Sequence, residues 1–162
     1  MHQGLATLAI AALCLAACGD NAAVESEQSM PAAPDWARGY IGQGIGTAFQ
    51  AAGAGACVGY ADAVTERFGG SSQGVRIAGW GWNLVSSQGY GQILTAGANG
   101  VIIGAGTTTT NRPDVVEAMG ETVTTPLVGY DAYAATQTGQ VAVYGIDAAA
   151  ATACPIGVIE LD

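Results

Sequence analysis

Short runs of β-branched and aromatic residues recur along the chain from residue 56 onward. Clusters of Gly, Ser, Asn and Asp separate them at a spacing of about ten residues, which is typical of strands joined by turns. Asn99 and Gly100 form one such turn, between the third and fourth runs. The runs lie at residues 56–62, 74–82, 90–96, 100–110, 123–135, 139–146 and 154–161. This pattern predicts an all-β fold, a single antiparallel β-sandwich of about seven strands and of immunoglobulin-like or jelly-roll-like type, over residues 56–162.

The segment between the fourth and fifth runs has helical character instead. Asn111 is a suitable N-cap, Pro113 stands in the first turn, and Asp114 faces the positive end of the helix dipole. An apolar stripe of valine and methionine follows, and Gly120 ends it. We therefore predict one short helical turn near residues 113–119.

Alternation along the second run divides its side chains between two faces. Val75, Ile77 and Gly79 share one face, whereas Trp80 and Trp82 lie on the other. A tryptophan often fills the core of a sandwich. We therefore expect a β-bulge at Gly79 that turns Trp80 inward.

An apolar run occupies residues 5–17, with Thr7 as its one polar residue. It is shorter than the about 20 residues that cross a bilayer and fits the hydrophobic region of a signal peptide. The run ends in Leu-Ala-Ala-Cys, which resembles the bacterial lipobox. That resemblance implies a lipoprotein signal peptide at 1–17, cleavage before Cys18, and attachment of diacylglycerol and a fatty acid such as palmitate to Cys18. The alternative is an ordinary signal peptide that leaves Cys18 as a free thiol.

Gly19, in the second position after cleavage, resembles lipoproteins that are sent on to the outer membrane. Residues 18–34 are polar, acidic and bounded by proline, and they predict a flexible tether. Residues 35–55 contain six glycines among aromatic and aliphatic side chains. Because a glycine costs about 1 kcal/mol in a helix, the pattern specifies no structure for this lead-in beyond the option of a short helix from Asp35.

Two of the four cysteines, Cys57 and Cys154, remain after signal cleavage and acylation of Cys18. An even pair in an exported chain predicts a disulfide. A bridge between them would close a loop of about 97 residues, which stabilises a fold by about 4–5 kcal/mol in the chain-entropy model. The competing interpretation is a thiolate metal site, but two cysteines without histidine do not make the usual set of four zinc ligands.

The charge balance excludes one class of partner. Thirteen acidic and four basic residues give a net charge of −9, and no lysine is present. Nothing in such a chain would neutralise phosphates, so we expect no nucleic-acid partner. The single histidine, His2, lies in the predicted signal peptide.

Without histidine or lysine, an enzyme would depend on carboxylates. Glycoside hydrolysis by two carboxyl groups is the common mechanism that remains, but the spacing of the acids pairs none of them. We expect no cofactor, and a calcium site lacks the usual Asp-x-Asp-x-Asp-Gly loop. The candidate acids are Asp62, Glu66, Asp114, Glu117, Glu121, Asp131 and Asp147.

Several short motifs occur in a fixed order between the two remaining cysteines. They are Cys57-x-Gly59-x-x-Asp62, Gly79-Trp80, Arg112-Pro113-Asp114-Val115, Gly129-Tyr130 and Cys154. Together they resemble a small extracytoplasmic β-sandwich domain found at the C-terminal ends of mannosyltransferase-type bacterial membrane proteins and in uncharacterised proteins. The resemblance covers about residues 57–161. It implies a sandwich fold, a terminal disulfide and a setting near envelope glycans, but no particular reaction.

Arg112 and Asp114 flank Pro113, whose ring fixes the backbone. A bidentate contact between guanidinium and carboxylate would hold a crossover between sheets, and a ligand site is the alternative. We interpret the motif as structural.

Two functions of different classes follow. The first is a lipid-anchored, non-catalytic module of the outer membrane that binds an envelope protein or glycan, and the second is a small carboxylate-dependent glycosidase. A glycan ligand would be neutral or cationic, because the chain is acidic. We expect it to contact Trp82 and Tyr90, which flank the 86–89 loop at one hairpin end, since aromatic rings offer an apolar face to sugars.

Overall fold

The computed structural model describes residues 24–162 of the chain, with side chains from residue 27. Strands dominate, and three short helices accompany them. The N-terminal part contains β1 (Val24–Ser26), α1 (Asp35–Arg38), α2 (Ile45–Ala48) and β2 (Gln50–Ala51). The remainder contains β3 (Cys57–Phe68), β4 (Gly74–Asn83), β5 (Gln88–Gly89), β6 (Gln92–Gly97), β7 (Ile102–Asn111), α3 (Pro113–Met119), β8 (Leu127–Ala134), β9 (Gly139–Asp147) and β10 (Thr152–Leu161).

All of these strands belong to one curled sheet, in the order β1-β3-β4-β8-β7-β6-β9-β10-β2, with β5 paired to β4. The pairs β1–β3 and β2–β10 are parallel, and the others are antiparallel. The curl brings β10 against β3, so the two halves of the sheet enclose one core. The all-β, sandwich-like fold predicted from the strand pattern is confirmed.

The disulfide between Cys57 and Cys154 is also confirmed. It joins β3 to β10, with the two Cα atoms 6.3 Å apart. No ladder pairs these strands among the described residues, but they pack closely where Gly59 meets Ile156 and Gly157 meets Ala61. The bridge therefore links β3 and β10, the strands next to the two edges of the curled sheet, where backbone hydrogen bonds do not.

Glycines on the inner face, the face that lines this core, make room for large rings. An added Cβ at Gly145 would meet the ring of Tyr90, and one at Gly79 would meet the phenol of Tyr130. Both tyrosines are buried. The Tyr130 hydroxyl donates a hydrogen bond to the carbonyl oxygen of Tyr60, at 3.1 Å. The two tyrosine rings thus lie over bare backbone and fill the core together with its valine, isoleucine and leucine side chains.

The opposite, outer face of the sheet carries a second and a third apolar cluster. Helix α3 covers the first of them, which contains Trp80, Trp82 and Val128 from the sheet. Helices α1 and α2 cover the other, where Tyr40 and Phe49 contact each other with ring centroids 4.8 Å apart. The lead-in at 35–55 is therefore packed on the sheet, and its β2 pairs with β10.

The expected inward turn of Trp80 is wrong. Strand β4 has no bulge at Gly79, and the register shifts lie in β3, at Asp62 and Thr65. Trp80 stays on the outer face, where it is half-buried beneath α3. The simple alternation of side chains along β4 predicts this position correctly, because the outer face of the sheet has an apolar core of its own.

Smaller differences concern the short elements. The sequence pattern did not predict β1, β2 or β5, and the predicted strand at 90–96 begins only at Gln92. Asn111 ends β7, so Arg112 stands at the N-cap of α3 without a capping side-chain bond. The turn at Asn99 and Gly100 is present, with Gly100 at φ +74°.

The described part of the segment expected to be a flexible tether, 18–34, makes contacts with the sheet and the loop after β3. Strand β1 pairs with the end of β3. Beyond it, Met30 N–H donates to the Ser72 carbonyl at 2.7 Å, and the Ser29 and Ser71 hydroxyls lie 2.8 Å apart. Cys18 lies outside the described residues.

Candidate functional site

A pocket opens at the end of the sheet where β4 and β9 finish and β5 and β6 meet. Its volume is about 250 Å³. We call it the hairpin pocket, because the β4–β5 hairpin forms one side and the turn after β9 forms the other. Its lining residues include Asn83, Gln88, Tyr90, Gln92, Ile146 and Asp147.

Asn83 and Asp147 connect the two sides of the hairpin pocket. The Asn83 side chain is buried and accepts hydrogen bonds from the N–H groups of Val85 and Ser86, at 2.9 and 3.1 Å. Its amide nitrogen donates to Asp147 Oδ2 at 3.3 Å. Asp147 Oδ1 accepts from the backbone of the turn at 148–150. Both loops are thereby held in one arrangement, so the walls of the pocket are preformed.

Tyr90 forms the floor of the hairpin pocket. Its ring lies over Gly145, and its carbonyl oxygen accepts a hydrogen bond from the Thr108 hydroxyl. Burial raises the pKa of Tyr90 to about 12, and the nearby Asp147 carboxylate adds to the effect. The Tyr90 hydroxyl makes no hydrogen bond with the described residues and is not among their enclosed polar atoms, so it is open to the pocket. It is a neutral donor at physiological pH.

Trp82, predicted to share a ligand with Tyr90, is fully buried on the outer face. It packs with Val115 and Val123 under α3, and its Nε1 has no acceptor among the described residues. Trp82 and Tyr90 belong to different cores on opposite faces of the sheet. The prediction that one sugar contacts both rings is therefore corrected: Tyr90 lines a pocket, and Trp82 does not.

The Arg112-Pro113-Asp114 motif makes an ion network. The Arg112 guanidinium donates to both oxygens of Asp114, at 2.9, 3.1 and 2.7 Å, and to Asp62 at 2.5 Å. Its stem crosses Gly129, where an added Cβ would approach Arg112 Cγ to 2.8 Å. These hydrogen bonds raise the pKa of Arg112. The motif thus connects the start of α3, a bulge in β3 and the surface of β8.

The structure brings together two of the candidate acids, Asp62 and Asp114, but both of their carboxylates bind the Arg112 guanidinium. The hydrogen bond from Arg112 lowers the pKa of Asp114, whereas a general acid needs a raised one. Asp131 binds Arg76 at 2.9 Å, and Glu66 adds a smaller attraction that helps to raise the pKa of Arg76. The side chains of Glu117 and Glu121 make no ion pair or hydrogen bond with the described residues. Asp147 alone lines the hairpin pocket.

Sequence reasoning found Tyr90 but missed Asn83 and Gln92 as its companions. Asn83 before the Ser-rich loop had a recognisable signal, because asparagine side chains bind backbone N–H groups two residues on. Among the described residues, no three His, Cys, Asp or Glu side chains are grouped as metal ligands.

In the part of the chain that the structure describes, no helix has both the length and the apolar character needed to cross a bilayer. Comparisons of this chain with protein-family models, with curated proteins and with solved structures find no match.

Proposed function

We propose that the protein is a lipid-anchored, non-catalytic module of the bacterial envelope that binds a neutral glycan in the hairpin pocket. Its anchor would be lipid on Cys18, as the Leu-Ala-Ala-Cys sequence suggests. The glycan setting agrees with the resemblance to the domains of mannosyltransferase-type membrane proteins. The pocket itself provides the main support.

The observation that carries the proposal is the mixture of groups in the hairpin pocket. Tyr90 supplies a hydroxyl donor, Gln88 and Gln92 carry amides that both donate and accept, and Asp147 supplies a carboxylate acceptor. Sugars present hydroxyls that need both kinds of partner, and specific ligand sites place a few such polar groups in a preformed pocket.

Charge limits the class of glycan. The net charge of −9 repels anionic polymers, and Asp147 lies in the pocket wall itself. No arginine lines this pocket to offset that carboxylate. A neutral oligosaccharide, or one that carries an amine, is compatible with this environment.

The arrangement of the acids favours binding over hydrolysis. A glycosidase needs two carboxyl groups on either side of the scissile bond, one of them protonated. The hairpin pocket has one carboxylate in its lining, and the Asp62 and Asp114 carboxylates are both occupied by hydrogen bonds from Arg112.

Titration calorimetry tests the pocket. The chain with Cys18→Ser, which removes the site of lipid attachment, would be titrated with mannotriose, with triacetylchitotriose and with anionic trigalacturonate. We expect saturable binding of a neutral sugar and none of trigalacturonate. Tyr90→Phe keeps the ring over Gly145 and removes one hydrogen bond, so affinity should fall about 2–10-fold.

Gln88→Ala should weaken binding by a similar factor. Its matched control is Gln73→Ala, another exposed glutamine, at the opposite end of β4. Failure of both neutral sugars to bind, or an equal effect of the two glutamine variants, would overturn the glycan proposal. The intact mass of the protein extracted from membranes, with Cys18→Ser as control, tests the lipid anchor separately. A wild-type protein that is soluble and carries no added acyl mass would overturn the proposed anchor on Cys18.

A further inference from the structure

Residues 31–34, Pro-Ala-Ala-Pro, cross the outer face of the sheet and separate two hollows. We call this segment the strap. The first hollow has a volume of about 240 Å³ and the second about 290 Å³. Both hollows are lined by Ala32 of the strap and by Ala105 and Tyr133 of the sheet. They are therefore two parts of one groove, which we call the outer groove.

The strap is attached firmly only at its ends. Before it, Met30 N–H donates to Ser72, and after it Arg38 Nε donates to the Ala33 carbonyl at 3.3 Å. Pro31 and Pro34 have no N–H to donate. In the described part of the chain, no hydrogen bond joins residues 31–34 to the strands beneath them. Small alanine and proline side chains make the contact with the sheet, so little apolar surface holds the strap down.

The two ends of the outer groove differ in chemistry. The first hollow is apolar, with Met30, Ile41, Ile103 and Ala135 in its lining and Ser72 as its one polar side chain besides Tyr133. Ile41 is 40% exposed, which is unusual for an isoleucine, and it stands at the rim.

The second hollow has more polar side chains in its lining than the first, although most of its surface is also apolar, and it has no net charge. Thr107, Thr109 and Asp131 line it, and Arg76 balances the Asp131 carboxylate through an ion pair of 2.9 Å. Hydroxyl donors and acceptors therefore lie beside a neutralised carboxylate. Such an end complements a polar head group that is itself neutral.

We infer that the outer groove binds a single-chain amphiphile with a neutral, hydroxyl-bearing head group. The apolar chain lies in the first hollow against Ile103 and Ala105, and the head group lies on Thr107 and Thr109 in the second. The two hollows lie on either side of the strap, and movement of the strap would join them into one site. This site is independent of the hairpin pocket and of the proposed glycan.

The probe is 1-lauroylglycerol, used below its micellar concentration with the detergent-free Cys18→Ser chain. NMR titration should give saturable shifts of Tyr133 and Thr107 resonances, while glycerol, which lacks the chain, should give none. Ile41→Asp puts a charge in the apolar end at an exposed position and should weaken binding at least 5-fold. Val158→Asp, at an apolar residue of β10 that is 55% exposed, is the matched control and should leave affinity unchanged.

Thr107→Val keeps the shape of the side chain and removes the hydroxyl, so affinity should fall about 2–10-fold. Laurate, with the same chain and an anionic head, should bind more weakly than 1-lauroylglycerol. No saturable binding of 1-lauroylglycerol, or an equal loss in Ile41→Asp and Val158→Asp, would overturn the inference. Tyr90→Phe should leave amphiphile binding intact, so failure of the glycan proposal and failure of this one are separable.

Discussion

Arg112 Nη1 donates a hydrogen bond to Asp62 Oδ2 at 2.5 Å, across fifty residues of sequence. The same guanidinium holds Asp114 through its other nitrogens. One side chain thereby fixes where α3 begins relative to the bulge in β3. Since α3 covers Trp80 and Trp82, this contact ties the helix to the sheet beside the apolar cluster that it covers.

Arg112→Lys should lower the free energy of unfolding by about 1–2 kcal/mol, because an ammonium group cannot bind two carboxylates in the planar geometry of a guanidinium. Arg38→Lys is the control, since Arg38 pairs with Asp35 at 2.9 Å but both side chains are mostly exposed. That change should stay within about 0.5 kcal/mol. Urea unfolding of both variants measures the difference, and equal losses would contradict a special role for Arg112.

Asp114 gives the protein a specific acid sensitivity. Its pKa is lowered in the folded state by the hydrogen bond from Arg112, whereas in the unfolded chain it returns to about 3.9. A depressed pKa contributes stability above the unfolded value, and this contribution is lost as the pH falls through the folded pKa. Unfolding of Asp114→Asn should therefore depend less on pH below about 4 than unfolding of the wild type.

The control for this experiment is Glu117→Gln, on the same helix, which makes no ion pair with the described residues. It should follow the wild-type pH profile. A wild-type profile for Asp114→Asn would show that the contact with Arg112 does not contribute to stability.

Reduction of the Cys57–Cys154 bridge should cost about 4–5 kcal/mol in the chain-entropy model, because the sequence separation is 97 residues. The expected result is a large fall in the unfolding midpoint when a reductant is added. The double variant Cys57→Ala/Cys154→Ala should resemble the reduced wild type and be insensitive to reductant. If the unfolding midpoint did not change on reduction, the packing contacts between β3 and β10 would be enough to hold these strands together without the bridge.

Gly145→Ala should destabilise the fold by about 1–3 kcal/mol, since the new methyl group would overlap the ring of Tyr90. Gly91→Ala is the matched control, because no atom lies within 4 Å of a Cβ built there. Its stability should be unchanged or raised by up to about 1 kcal/mol through the unfolded state. Thermal unfolding of the two variants compares them directly. Equal behaviour would show that Tyr90 can move aside.

The main strands could be predicted because β-branched runs and turn residues act locally. The run at 139–146 becomes β9 (Gly139–Asp147), and the run at 154–161 lies within β10 (Thr152–Leu161). β2 (Gln50–Ala51) could not be predicted in this way, because its two residues have no strand preference and become a strand only by pairing with β10. Its strand conformation therefore depends on the tertiary structure and not on the local sequence.

The error at Trp80 and Trp82 came from assuming a single core. The sequence did indicate a second core, since the apolar stripe of Val115 and Met119 on α3 needs an apolar surface to pack against. Two tryptophans on one face of β4 provide that surface. The hairpin pocket was only partly predictable, because Asn83 and Asp147 are brought together by the curl of the sheet.

Strand β1 would limit how far the folded unit could stand from a lipid on Cys18. It begins at Val24, six residues after Cys18, and six residues span at most about 20 Å of contour length. A lipid on Cys18 would therefore keep the start of β1 within about 20 Å of the bilayer, about a third of the reach that a tether running to residue 34 would allow. The proposed module would sample a thin layer at the membrane surface, so its partners should be molecules confined to that layer.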